Sequence, residues 1–157
     1  MSNNRKRSML VGEVKIETDI FMNAVKLSDK TLSEANELLS IWGMTVLQYN
    51  ALRVIYVKDG INNNHKGLPS KEIGQRLYTR VPDVTRLLDR LADKGWLIRE
   101  RDTINRRVVR SRLTEIGVQL VESAYKPLQE LESQQLSLLT EEEKVELARL
   151  LSKAIAK

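Results

Sequence analysis

The sequence predicts a mainly α-helical chain with one small β-hairpin, in which short helices and the hairpin form a middle section between longer apolar helices. Three observations predict it. Apolar residues recur at helical spacing over most of the 157 residues. Two runs rich in β-branched and large residues, Trp96–Arg101 and Val108–Leu113, enclose the polar stretch Asp102–Arg107, the pattern of a hairpin. Capping residues, glycines and prolines fall where such elements would begin and end.

Taken in order, residues 1–16 open with a basic stretch, Met1–Arg7, and read as a flexible arm. From Glu17 to Ser40, Ile20, Phe21, Ala24, Val25, Leu27, Leu32, Ala35, Leu38 and Leu39 mark one long helix, or two broken near Ser28–Thr31. Gly43 interrupts it. Thr45 opens a second helix, with Gln48 as the other half of a capping box. Leu47, Ala51, Leu52, Ile55 and Tyr56 form its inner face, and Asp59-Gly60 ends it. Gly60–Pro69 reads as a loop that carries His65. Ser70 is read as the cap of a short third helix, Lys71–Leu77. A turn at Tyr78–Val81 leads to a fourth helix from about Pro82, tolerated in a first turn, to Lys94, with Gly95 as the stop. After the hairpin, Thr114 caps a fifth helix with Ile116, Leu120, Ala124, Leu128 and Leu131 on its apolar face. Pro127 should kink or divide it. Thr140 and Glu143 make a second capping box for the last helix, from Glu141 to about Ala156, in which Val145, Ala148, Leu151 and Ile155 are spaced for packing.

Short helices followed by a basic hairpin are the winged helix-turn-helix arrangement. The sequence therefore divides into the arm and a single domain over 17–157, with 45–113 as the winged helix-turn-helix. The flanking parts, 17–44 and 114–157, carry more apolar surface than a small domain readily buries, and are expected to be dimerisation helices.

Charge points to the partner. Net charge is +5. Between Ser70 and Arg112 lie twelve basic and six acidic residues, so this middle third carries +6 and the remainder −1. Most of the bases are arginines, whose planar fork suits phosphates and guanine edges. This is the footprint of a nucleic-acid binder. On the fourth helix Val84, Leu87, Leu88 and Leu91 define one inward stripe. Pro82, Arg86, Asp89, Arg90 and Asp93 fall opposite, and Thr79 and Arg80 precede the helix. The expected base readers are Thr79, Pro82, Asp83 and Arg86, flanked by Thr85 and Arg90. Arg86 can bond guanine O6 and N7, and Asp83 can accept from cytosine N4. Ser70 and Lys71 can hold a phosphate at a helix start. Arg106 and Arg107 sit at the hairpin tip, placed to enter a minor groove. Arg99, Arg101, Arg110 and Arg112 can touch phosphates, or pair with Glu100 or Asp102.

Other chemistries are disfavoured. There is no cysteine and one histidine, which rules out thiol chemistry and leaves too few ligands for an ordinary zinc site. No catalytic constellation stands out, so no enzyme activity and no cofactor are expected. No apolar run approaches the ~18 residues of a membrane span, and the expected address is the cytoplasm, in association with the nucleoid.

The runs Ile73-Gly74-Gln75-Arg76-Leu77, Val84 through Arg99, Asp102 through Arg107 and Arg112 through Gly117 resemble the MarR (multiple antibiotic resistance regulator) family. Gly43-Met44-Thr45, Gln48-Tyr49 and Leu138 through Glu143 extend the resemblance to roughly Glu17–Ile155. It implies a homodimer that binds palindromic double-stranded operators, usually as a repressor. Many members release DNA when a small, often aromatic or phenolic, effector binds between the dimer helices and the reading head. Trp42, Tyr49, Tyr56 and Tyr125 lie on the helices that line that pocket. Arg107 matches the second arginine of the wing motif Asp-Arg-Arg, while Asn105 stands where the aspartate is usual. The stretch Gly60–Leu68 is longer than the pattern. The rival reading is a winged-helix protein-interaction module, against which the concentration of arginine argues.

Overall fold

The structure is a computed structural model that describes residues 15–62 and 66–156. Most of the arm and His65 lie outside the described residues. The chain divides into two units, Met1–Glu34 and Ala35–Lys157. Helix α1, Ile16–Leu39, begins in the first and ends in the second. It is one continuous helix, without the break considered near Ser28–Thr31; Thr31 Oγ1 donates to the Ser28 carbonyl within it.

A 3-10 turn, Ser40–Trp42, stops at Gly43, whose φ of 65° supplies the left-handed cap. Helix α2 spans Val46–Asn62. Its start is the expected capping box: the Thr45 hydroxyl accepts from the Gln48 N–H (3.3 Å), and Gln48 Oε1 accepts from the Thr45 N–H (3.1 Å). Its end is not the expected one, because the helix continues past Asp59-Gly60. A single glycine weakens a helix by only about 1 kcal/mol, which tertiary context outweighs.

The expected loop Gly60–Pro69 ends in a two-residue strand, β1, Leu68–Pro69. Helix α3 is Ser70–Arg76. Ser70 is not its cap: Pro69 holds the cap position, and no side chain bonds the first turn. Helix α4 is Val84–Asp93. It starts two residues after Pro82, because Asp83 is the cap and accepts the Arg86 N–H at 2.9 Å. Strands β2, Leu97–Arg101, and β3, Val109–Leu113, follow. The hairpin thus becomes a three-stranded antiparallel sheet in the order β1-β3-β2. Leu68 lies opposite Ser111, and Ser111 opposite Arg99. Helix α5, Glu115–Gln135, is capped by Thr114 and passes through Pro127 undivided. Helix α6, Glu141–Ile155, has both bonds of the Thr140–Glu143 capping box.

One core joins these elements, α6 excepted, in the second unit. Leu52, Ile55, Ile73, Leu88, Leu91 and Ala124 are fully buried in it, with Leu39, Leu97, Val121 and Leu128. On α5 Val121 is turned inward with Ala124 and Leu128, whereas Ile116 is exposed. On the expected face of α6, Val145, Leu151 and Ile155 are all exposed among the described residues. Gly117 lets α5 approach the wing, since a Cβ there would lie 2.0 Å from the Trp96 carbonyl oxygen.

Replacing Leu88 by alanine empties a fully buried site of the α4 stripe. Urea unfolding should show a loss of about 2–5 kcal/mol. A loss below about 1 kcal/mol would mean that the stripe does not anchor the helix.

Candidate nucleic-acid interface

Helix α4 is positioned by its leucines. Leu87, Leu88 and Leu91 are buried and Val84 is half-buried. At 100° per residue this turns Thr85, Arg86, Asp89, Arg90 and Asp93 outward, and all five are exposed. Helix α3 crosses closely: a Cβ on Gly74 would sit 2.8 Å from Val84 Cγ2. A cleft of about 370 Å³ lies between the two helices, lined among others by Lys71, Gln75, Arg80, Pro82, Asp83 and Thr85. Most of the expected DNA-contacting residues of this region therefore converge there, with Ser70 on the same lining. Thr79 is exposed in the segment entering α4 but does not line the cleft.

Some of these side chains also have partners within the domain. Asp83 spends one carboxylate oxygen on the helix cap, which starts α4. The Ser70 hydroxyl accepts from Arg99 Nη2 at 3.4 Å. Arg99 itself points inward: its side chain is 14% exposed and pairs with Asp89. Of the other strand arginines, Arg110 pairs with Asp102 and Arg112 with Glu100. Among the described residues, the side chains of Lys71, Arg80, Arg86, Arg90, Arg106 and Arg107 make no ion pair and no hydrogen bond.

The wing tip is built on Asp102. One carboxylate oxygen accepts the N–H groups of Ile104 and Asn105, each at 2.9 Å, and the other takes the Arg110 guanidinium. Arg110 also donates to the Gly67 carbonyl at 3.2 Å. Gly67 must be glycine on two counts, a φ of 66° and a Cβ position 2.5 Å from the Ser111 oxygen. Asn105 Oδ1 accepts the Arg107 N–H at 3.2 Å. Arg106 and Arg107 therefore stand exposed on a tip whose backbone is held by side chains. The bonds from Asn105, Arg110 and Ile104, in that order of weight, hold the Asp102 carboxyl down to about 2.

The aromatic residues do not share one pocket. Tyr49 and Tyr125 line a cavity of about 350 Å³ with Asn50, Arg53, Tyr78 and Leu128. Tyr56 lies with Tyr125 on a separate one of about 310 Å³, where its hydroxyl donates to Glu122 at 2.9 Å. That bond raises the Tyr56 phenol, and burial raises that of Tyr49. Trp42 lines neither and packs half-buried against the core.

The family model described as the MarR family matches residues 44–109. A MarR transcription factor from Planctomyces limnophilus has a solved structure that is 30% identical, with a TM-score of 0.65, covering 88% of this chain and 97% of its own. This chain belongs to the MarR family. The solved structure of a mutant MarR from Escherichia coli complexed with operator DNA is 25% identical, with a TM-score of 0.78, covering 91% of this chain and 100% of that one. The HTH-type transcriptional repressor MdtR of Bacillus subtilis (strain 168) is 29% identical over 136 residues, 87% of this chain and 83% of its own length. The Planctomyces protein is named as a transcription factor and MdtR as a transcriptional repressor. Among the described residues no group of acids and histidines is placed to hold a metal, and no helix is long and apolar enough to cross a membrane.

Because its folded value lies below the ordinary one, Asp102 contributes wing stability in full above pH 4. The contribution is lost as pH falls through about 2. The protection of the Ile104 and Asn105 amides, their exchange rate relative to an unstructured chain at the same pH, should hold down to about pH 4 and be lost toward 2, and Asp102→Ala should abolish it at neutral pH. Fast exchange at neutral pH in the unaltered protein would contradict this wing.

Proposed function

We propose that the protein is a sequence-specific, double-stranded-DNA-binding regulator of transcription that acts as a homodimeric repressor of palindromic operators. The observation that carries this reading is the set of unpaired, exposed cations on the helix-turn-helix and the wing tip, in a fold shared with a regulator solved on its operator.

Base choice belongs to the exposed face of α4, with Arg86 as the guanine reader and Thr79, Pro82, Thr85 and Arg90 around it. Ser70 and Lys71 at the start of α3, with Arg80, face phosphate. Arg107, with Arg106 and Asn105, enters the minor groove, and the rigid tip set by Asp102 offsets the missing aspartate at 105. Dimerisation falls to 17–44 and 114–157. Ile20, Phe21, Val145 and Ile155 are all more than 60% exposed within one chain, the kind of surface that a second copy covers. Pairing sets the two α4 helices about 10–10.5 bp apart along the duplex, or a multiple of this. The cavity beside Tyr49 and Tyr125 is of a size for a small aromatic effector, which would favour a different spacing of the heads and shift the population off DNA. An address on the nucleoid in the cytoplasm follows from the same reading.

Selection of bound duplexes from a random pool should return a palindrome. A pool with no common sequence would leave a winged helix serving another partner. Arg86→Ala should cost about 1–3 kcal/mol and relax preference at one base position per half-site. Uniform weakening on every sequence would assign Arg86 to the backbone instead. Arg107→Ala should mainly reduce the gain from A·T-rich flanks; unchanged binding there would remove the wing from the interface.

A further inference from the structure

Arg99 joins three segments, its own strand and two helices, through one guanidinium. It projects from β2 on the same face as the buried Leu97, two residues away. Its Nη1 meets the Asp89 carboxylate and the Thr85 carbonyl (3.5 Å), both on α4. Its Nη2 reaches the Ser70 hydroxyl, at the first residue of α3. No phosphate-facing role is left to it, since the side chain is turned in.

The leucine stripe of α4 is held by apolar contact, which has no preferred direction. It sets which face is inward but leaves tilt and sliding weakly determined. The segment entering α4, from Leu77 to Asp83, has no regular secondary structure. Directional bonds to a rigid planar fork supply what the leucines lack. Stability alone does not call for an arginine here. Its Nε is buried without a partner, as is the Oγ of Ser111 opposite it in the sheet. An apolar side chain of similar length would avoid that cost.

We infer that Arg99 is a positioning residue for DNA recognition: it fixes the recognition helix, the start of α3 and the wing strand in one relative geometry, so that all three meet the same duplex in register. The inference rests on the DNA-binding reading above.

The test uses Arg99→Met, Asp89→Asn and Arg99→Lys in the full chain, with the duplex selected by the unaltered protein and a generic duplex of equal length, each over a salt series. Binding to generic DNA and its salt slope should hold in all three variants, because no phosphate contact is removed. Preference for the selected duplex should fall about tenfold, the order of one mismatched base pair. Lysine should not restore it, as it lacks the fork. Arg86→Ala and Arg107→Ala should be coupled in the unaltered protein and additive in the Arg99→Met background. If Arg99→Met melts early, Asp89→Asn, altered at a half-exposed carboxylate, carries the same comparison. Undiminished preference in folded variants would overturn the positioning role. So would a salt slope reduced by about one phosphate contact, which would make Arg99 a backbone ligand. Failure of the unaltered protein to prefer any duplex would overturn the DNA-binding reading itself, and this inference with it.

Discussion

Burial of Leu87, Leu88 and Leu91 is the constraint from which the interface follows. These side chains lie in one cluster with Ile55, Ile73, Leu97 and Val121, and α2, α3 and β2 all bear on α4. A helix with three leucines committed inward has no rotational choice, and its polar residues face out together. Arg86 and Arg90 are exposed because their neighbours are not. The close crossing at Gly74 and the Asp83 cap then set where along the chain this face begins.

The wing is governed by hydrogen bonds rather than by apolar burial. Ile104 at its tip is 92% exposed, and no core holds the turn. Asp102 does so instead, by bonding two backbone N–H groups and Arg110, which in turn reaches the Gly67 carbonyl. β1 closes this arrangement on the far side of β3. The result presents Arg106 and Arg107 on an ordered backbone although residue 105 carries no charge. It differs in kind from the α4 surface, where position comes from packing, and Arg99 is the side chain that bridges the two.

Much of this was legible in the sequence, for local reasons. Thr45 and Thr140 announce their helices through reciprocal side-chain bonds, and Thr114 through a single bond from the Gly117 N–H, all of which need only a few neighbouring residues. Strand limits fall within a residue of those expected, because turn chemistry bounds them. What was misread depends on distant partners. β1 is two residues long and exists because β3 lies beside it. Ser70 looks like a cap by composition, but Arg99 takes its hydroxyl from across the domain. Asp83 was readable as a cap, and the helix-start preference of Pro82 masked it. The inward turn of Arg99 was also within reach, because strand alternation puts it on the face of Leu97; the weight of arginines in that stretch pointed instead to solvent. The separation of Tyr56 from the cavity of Tyr49 depends on how α2 and α5 cross, which spacing along either helix does not encode.

Binding depends on an electrostatic and steric match between these exposed cations and duplex DNA. Titration of the purified protein with a generic duplex across a series of salt concentrations tests that match most directly. Log affinity should fall linearly with log salt, with a slope reporting several phosphates neutralised. No measurable attraction even in very dilute buffer would contradict it, whatever the fold.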